Sequence, residues 1–152
     1  MSPGKVSKRV IGDRLVWIDK MVAEIRALPM DSYEKFSADK RNVWAAESCL
    51  RRAFEAIFDL GRHILAKSFS QGVTEYKRIA SELERAGVLS LNHARLLRTL
   101  AGYRNRLVHF YHELSSEELY EICRDELGDL LKIRNLFSEW VKSHPDQIDE
   151  TL

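Results

Sequence analysis

The chain has 152 residues, 24 basic side chains against 23 acidic ones for a formal net charge of +1, and an apolar share of 45% beside a charged share of 31%. These figures fit one globular domain with its own core, and they exclude a disordered chain or a disulfide-dependent miniprotein. The near balance of charge also excludes a protein that tracks a long nucleic-acid backbone, which needs a strong basic excess; any phosphate contact is expected to be local and only modestly salt-dependent.

Pro3, Pro29 and Pro145 are the only prolines, so residues 30–144 are free of the residue that breaks helices. Ile11, Leu15, Ile18, Val22 and Ile25 step by three and four, which predicts a helix ending before Pro29. Val10, Trp17, Met21 and Leu28 widen that stripe, so the helix is expected to bury itself against more than one neighbour. Asp31 or Ser32 caps a short turn through Phe36, and a long helix follows over about 39–69 with Val43, Ala46, Leu50, Ala53, Phe54, Ile57, Leu60, Ile64 and Leu65 on its apolar side. Gln71 and Gly72 break it, and Thr74 opens a shorter helix ending near Gly87. Ser90 or Asn92 starts the next helix, whose apolar row is Leu97, Leu100, Ala101 and Val108. Ser115, three residues before Glu118, reads as a capping box for one last long helix carrying Leu119, Ile122, Cys123, Leu127, Leu130, Ile133, Phe137, Trp140 and Val141. No β signal or repeat is evident, and the tail over 143–152 reads as frayed. The expected architecture is all-α, an up-down bundle of four to five helices in a single domain over 1–152, with its core at about 6–142.

Cys49 and Cys123 have no paired spacing, which argues against a disulfide scaffold or a zinc site, and both sit at apolar helical positions. No apolar run reaches the roughly 20 residues that span a bilayer. The first ten residues lack the continuous apolar stretch of a secretory signal, so the expectation is a reducing, cytoplasmic protein without a membrane anchor.

The densest chemistry lies in residues 103–112, YRNRLVHFYH. Arginine grips phosphate bidentately at any working pH, and histidine can give or take a proton near pH 7. On an ideal helix Arg104, Val108 and Tyr111 share one row, while Asn105, His109 and His112 share the next. Arg104 and His109 are then about 140° apart around the axis and about 7.5 Å apart along it. One straight helix therefore cannot aim both at one phosphate: either the helix loosens before Ser115 or a second copy completes the site. His109, His112 and Glu113 do not supply the converging set that a zinc needs, so no metal is expected.

Arg104, four residues, His109, one residue, Tyr111, with Asn105 directly after the arginine, resembles the HEPN domains and more narrowly their HepT-like branch. The segments 55–64 (EAIFDLGRHI), 73–90 (VTEYKRIASELERAGVLS) and 115–137 (SSEELYEICRDELGDLLKIRNLF) resemble the family's helices around that motif, and the likeness covers roughly 6–142. The resemblance implies a homodimer with the motif at an interface cleft. It implies the toxin of a toxin–antitoxin pair: a metal-independent endoribonuclease, needing no cofactor, that cleaves RNA by attack of a ribose 2′-hydroxyl on the adjacent phosphate.

In that scheme Arg104 and His109 are catalytic, the first holding the phosphate and the second moving the proton, with Asn105 and Tyr111 in support. The resemblance further implies that a cognate nucleotidyltransferase antitoxin silences the protein by adding AMP to Tyr111. The alternative is a non-catalytic HEPN module that binds a nucleotide or docks a nucleotidyltransferase. Glu55, Asp59 and His63, with Glu47 and Arg51 above them, read most simply as an exposed ladder of weak ion pairs; only the likeness leaves room for Glu55 or Asp59 at the cleft. Whether Arg51, Arg52, Arg95, Arg98 and Arg106 share one basic rim is left open by spacing alone.

Overall fold

The structure is a computed structural model describing residues 4–109 and 114–151. Its helices are α1 (Lys8–Arg26), α2 (Tyr33–Ser37), α3 (Lys40–Phe69), α4 (Tyr76–Arg85), α5 (Leu91–Val108), α6 (Ser116–Asp125) and α7 (Leu127–Ser143). The fold is an all-α bundle built around α3, which packs against every other α-helix. Ala53, Phe54, Ala56, Ile57, Phe58, Leu60, Gly61, Ile64 and Leu65 are all buried, so the middle of α3 is apolar nearly all round, as a central helix must be. A Cβ on Gly61 would stand 3.0 Å from Leu83 Cδ1 and 3.1 Å from Ile79 Cγ2, so the missing side chain is what lets α4 approach. Gly102, on α5, faces open space and serves no such approach.

Polar residues fix the helix ends where sequence places them. The side chains of Ser32, Asp39, Ser90 and Ser115 each accept a hydrogen bond from a backbone N–H in the first turn of α2, α3, α5 and α6. Gly87, at φ +80°, ends α4 in a Schellman turn: Val88 N–H donates to Leu83 O at 2.9 Å and Gly87 N–H to Glu84 O at 3.0 Å.

Four features differ from expectation. The short turn at α2 is a helix of its own, and the last long helix is two, because Glu126 leaves helical geometry (φ −104°, ψ −7°) two residues before Gly128. The break lets α6 pack on α2 while α7 packs on α1 and α5, which one straight rod could not do. The short helix after the long one begins at Tyr76, after a Glu75 cap without a side-chain hydrogen bond, two residues later than Thr74 suggests. Finally, Val6–Ser7 (β1) pairs in parallel with Ile148–Asp149 (β2), so the expected fraying tail carries a bridge and a 3-10 turn over Pro145–Gln147.

Ser7 then starts α1, its Oγ accepting from Val10 N–H while its own N–H donates to His63 Nε2 at 3.0 Å. The same bond ties the beginning of α1 to the far half of α3. It also gives half-buried His63 a structural role against β1.

Candidate functional site

An open cleft of about 450 Å³ lies where α1, α3 and α5 meet. Arg14 and Trp17 come from α1, Arg51, Arg52, Glu55, Ala56 and Asp59 from α3, and Arg104 and Val108 from α5. Steps of four along α3 put Arg51, Glu55 and Asp59 in one row, so these three of the residues read as an exposed ladder form one wall of the cleft, while Glu47 and His63 do not line it. Trp17 and Val108, expected in apolar stripes, are 36% and 37% exposed there. Of the arginines whose common surface spacing left open, Arg51 and Arg52 reach the cleft; Arg106 pairs with Glu118 at 2.8 Å and Arg98 donates to Ser81 Oγ at 2.6 Å.

Arg104 is fixed on three sides. Its Nε donates to Glu55 Oε1 at 2.7 Å, and its NH1 donates to Asn105 Oδ1 at 3.2 Å. Its guanidinium lies 3.7 Å from the centroid of the Tyr76 ring, close enough for strong cation–π attraction. Tyr76 is itself held: its hydroxyl donates to Glu55 Oε2 at 2.7 Å, and its ring meets Phe58 edge-on at 5.1 Å. Burial, and next the Glu55 carboxylate on its hydroxyl, push the Tyr76 pKa up, so the phenol stays protonated and donates. Among the described residues this leaves the NH2 donors of Arg104 for an incoming anion. Neither Glu55 nor Tyr76 stands out as a partner for Arg104 in sequence, because they lie 49 and 28 residues upstream; the family likeness of the segment 55–64 is the one available hint for Glu55.

The second carboxylate of the wall is also neutralised. Asp59 takes Arg62 NH1 at 2.9 Å and faces Arg14 Nε at 3.5 Å. Arg51 and Arg52 have no carboxylate within ion-pair distance among the described residues, so the surplus charge of the cleft is positive. No group of three or more His, Cys, Asp or Glu side chains converges among the described residues, and no described helix is long and apolar enough to cross a membrane.

The helix does loosen before Ser115. α5 ends at Val108, and His109 is its C-cap, exposed and extended at φ −92°, ψ 120°. Its backbone N–H still donates to Asn105 O at 3.1 Å. Asn105 thus touches both catalytic candidates, Arg104 through its amide and His109 through its carbonyl. The bond to Asn105 O keeps the Cα of His109 on the path of α5, so the ideal-helix separation from Arg104 still describes the two positions within one chain, and only the ψ of His109 is extended. Tyr111 and His112 lie outside the described residues.

Comparison with known proteins gives one family and one fold. The family model for HepT-like ribonucleases matches residues 18–136. A tri-AMPylated HEPN toxin of Shewanella oneidensis, solved in complex with an MNT antitoxin, is similar at TM-score 0.77 with 19% identity, over 86% of this chain and 97% of that one. A tyrosine-to-alanine mutant in a MntA–HpeT toxin–antitoxin structure is similar at TM-score 0.75 with 17% identity, over 87% of this chain and 99% of that one. YutE of Bacillus subtilis, a cytosolic protein of unknown function, is similar at TM-score 0.74 with 19% identity, over 92% of this chain and 94% of that one. No curated protein matches. At such identities the solved structures establish the HEPN-type fold, and the family model, spanning most of the chain and containing both Arg104 and His109, makes this protein a member of the HepT-like ribonuclease family.

Proposed function

We propose that this protein is the toxin of a HepT-type toxin–antitoxin pair, a cytoplasmic, metal-independent endoribonuclease that works as a homodimer. The observation that carries the reading is the anchoring of Arg104: Glu55, Tyr76 and Asn105 hold its guanidinium at a positively charged cleft, one residue run before a histidine at the helix end. An arginine fixed before substrate arrives loses little entropy on gripping a phosphate, and it can meet charge developing on the phosphoryl oxygens.

In this reaction the ribose 2′-oxygen attacks the adjacent phosphorus and the bond to the 5′-oxygen breaks, leaving a cyclic 2′,3′-phosphate and a 5′-hydroxyl. His109 takes the 2′-proton or returns one to the leaving oxygen, a role typically worth about 10²–10⁴-fold in rate. Arg104 neutralises the phosphate, and Asn105 is a positioning residue for both groups. A second copy, related by a two-fold axis that passes beside the motif, brings the other motif to the same cleft.

Tyr111 is proposed as the site at which a cognate nucleotidyltransferase antitoxin adds AMP. Each AMP adds about one negative charge and much bulk, blocking the cleft and offering an anion to Arg104. The AMPylated HEPN toxin among the structural neighbours supports this assignment by analogy.

Two observations favour the second reading, a non-catalytic module that binds a nucleotide or docks the nucleotidyltransferase: Glu55 already satisfies part of the Arg104 guanidinium, and the net charge is only +1. The deciding experiment is cleavage of single-stranded RNA in EDTA by wild type, Arg104→Ala and His109→Ala. The enzyme reading requires activity with EDTA in the wild type and its loss, at unchanged fold, in both variants. Intact-mass measurement of protein co-expressed with the nucleotidyltransferase should show AMP-sized additions that vanish in Tyr111→Phe.

A further inference from the structure

We propose that Trp17 is a stacking platform for an RNA base next to the scissile phosphate, with Arg51 and Arg52 holding the backbone phosphate beyond it. The proposal rests on the RNA-directed reading of the same cleft and names the part of the substrate that the motif residues do not touch. A single exposed tryptophan on a soluble protein needs no special reason. What singles out Trp17 is its company, since it shares one cleft with the anchored Arg104 and with Val108, which supplies apolar surface nearby.

The charges of that cleft divide in a way that suits a strand of nucleotides. Arg104 is tied to Glu55, while Arg14 and Arg62 both serve Asp59. Arg51 and Arg52 are left as the cations that an incoming phosphate can meet without breaking an ion pair among the described residues. Lys20 Nζ stands 5.6 Å from the Trp17 ring centroid and adds a further cation on the α1 side. An aromatic ring and arginines unpaired among the described residues, lining one cleft, match the alternation of base and phosphate along a single strand.

The volume of about 450 Å³ falls in the usual range for sites that hold a small ligand, so the cleft holds about one nucleotide and not a helix. Duplex RNA is disfavoured because its bases are already stacked and paired. Stacking is indifferent to base identity, so the site selects single-strandedness more than sequence. A grip on only two or three phosphates is also what a net charge of +1 permits.

The test uses a fluorescein-labelled 2′-O-methyl hexaribonucleotide, which lacks the attacking hydroxyl, so binding is read without turnover. Anisotropy is measured with wild type, Trp17→Ala, Trp17→Phe and Arg104→Ala, each checked by sedimentation velocity. Trp17→Ala is expected to weaken binding about 5- to 100-fold while Trp17→Phe keeps most of the affinity. An oligonucleotide with one abasic position should bind wild type and Trp17→Ala more nearly alike. Binding that depends on Trp17 in a protein that cleaves no RNA would uphold the stacking site at Trp17 and sink the catalytic reading of the cleft. Equal affinity of Trp17→Ala and wild type, or no binding by wild type, overturns it. So does a loss of affinity that comes with a change in sedimentation, which would make Trp17 a contact between two copies.

Discussion

Replacing Glu55 by alanine removes two bonds at once, those from Arg104 Nε and from the Tyr76 hydroxyl, each 2.7 Å long. A hydrogen bond to a charged group contributes roughly 1.5–3 kcal/mol. The side chains of Arg104 and Glu55 are 18% and 34% exposed, so solvent screening brings their pair down to about 1–2 kcal/mol. With the tyrosine bond included, the expected cost is about 2–3 kcal/mol, or a melting temperature lower by about 5–10 °C for a domain of this size.

Glu55→Gln keeps an oxygen for Arg104 Nε and should cost about half as much, and Tyr76→Phe, which spares the ring beneath the guanidinium, about 1 kcal/mol. The same change frees Arg104 to move, and a displacement near 1 Å lowers turnover by about 100-fold where geometry controls the reaction. The assay is urea unfolding of Glu55→Ala, Arg104→Ala and the double variant, with RNA cleavage measured in parallel. A coupling energy of about 1–2 kcal/mol between the two positions is expected. A coupling indistinguishable from zero, with wild-type turnover in Glu55→Ala, would refute the claim that Glu55 anchors the arginine.

Three further outcomes follow from the structure. The His63 pKa is lowered, chiefly by burial and then by Lys67 and Arg14, so its neutral ring supplies the acceptor for Ser7 N–H; that stability is present above the unfolded pKa near 6.5 and is lost as pH falls through the folded value. Urea midpoints taken from pH 8 to 5 should therefore fall more steeply for wild type than for His63→Gln, and parallel curves would reject this. Ser115→Ala, which removes the acceptor for Glu118 N–H at 3.2 Å, should cost about 1 kcal/mol by the same unfolding assay, whereas Ser116→Gly tests a different bond, that to the Tyr33 hydroxyl. Burial pushes the Cys123 thiol up to about 12, and Cys49 is raised as well, so native protein at pH 8 should react with a thiol reagent far more slowly than unfolded protein, with Cys49 modified before Cys123.

Local sequence carried the helices and most of their ends, because an apolar residue every three or four positions and a serine or aspartate ahead of it act within one turn. It also put Arg104, Asn105 and His109 forward as candidates, since their types and order are visible in one short segment. It missed the break at Glu126, where an unbroken apolar row hides a change of packing partner, and it set Trp17 and Val108 among core positions though both open onto the cleft. What tertiary structure alone decided is the setting of the arginine: Glu55 and Tyr76 reach it from two other helices, and Arg14 and Trp17 close the same cleft from a third. Periodicity tells which side of a helix is apolar but not which helix that side will meet. The partner of a buried charge is set by that meeting, so it became legible only when α1, α3 and α5 were packed together.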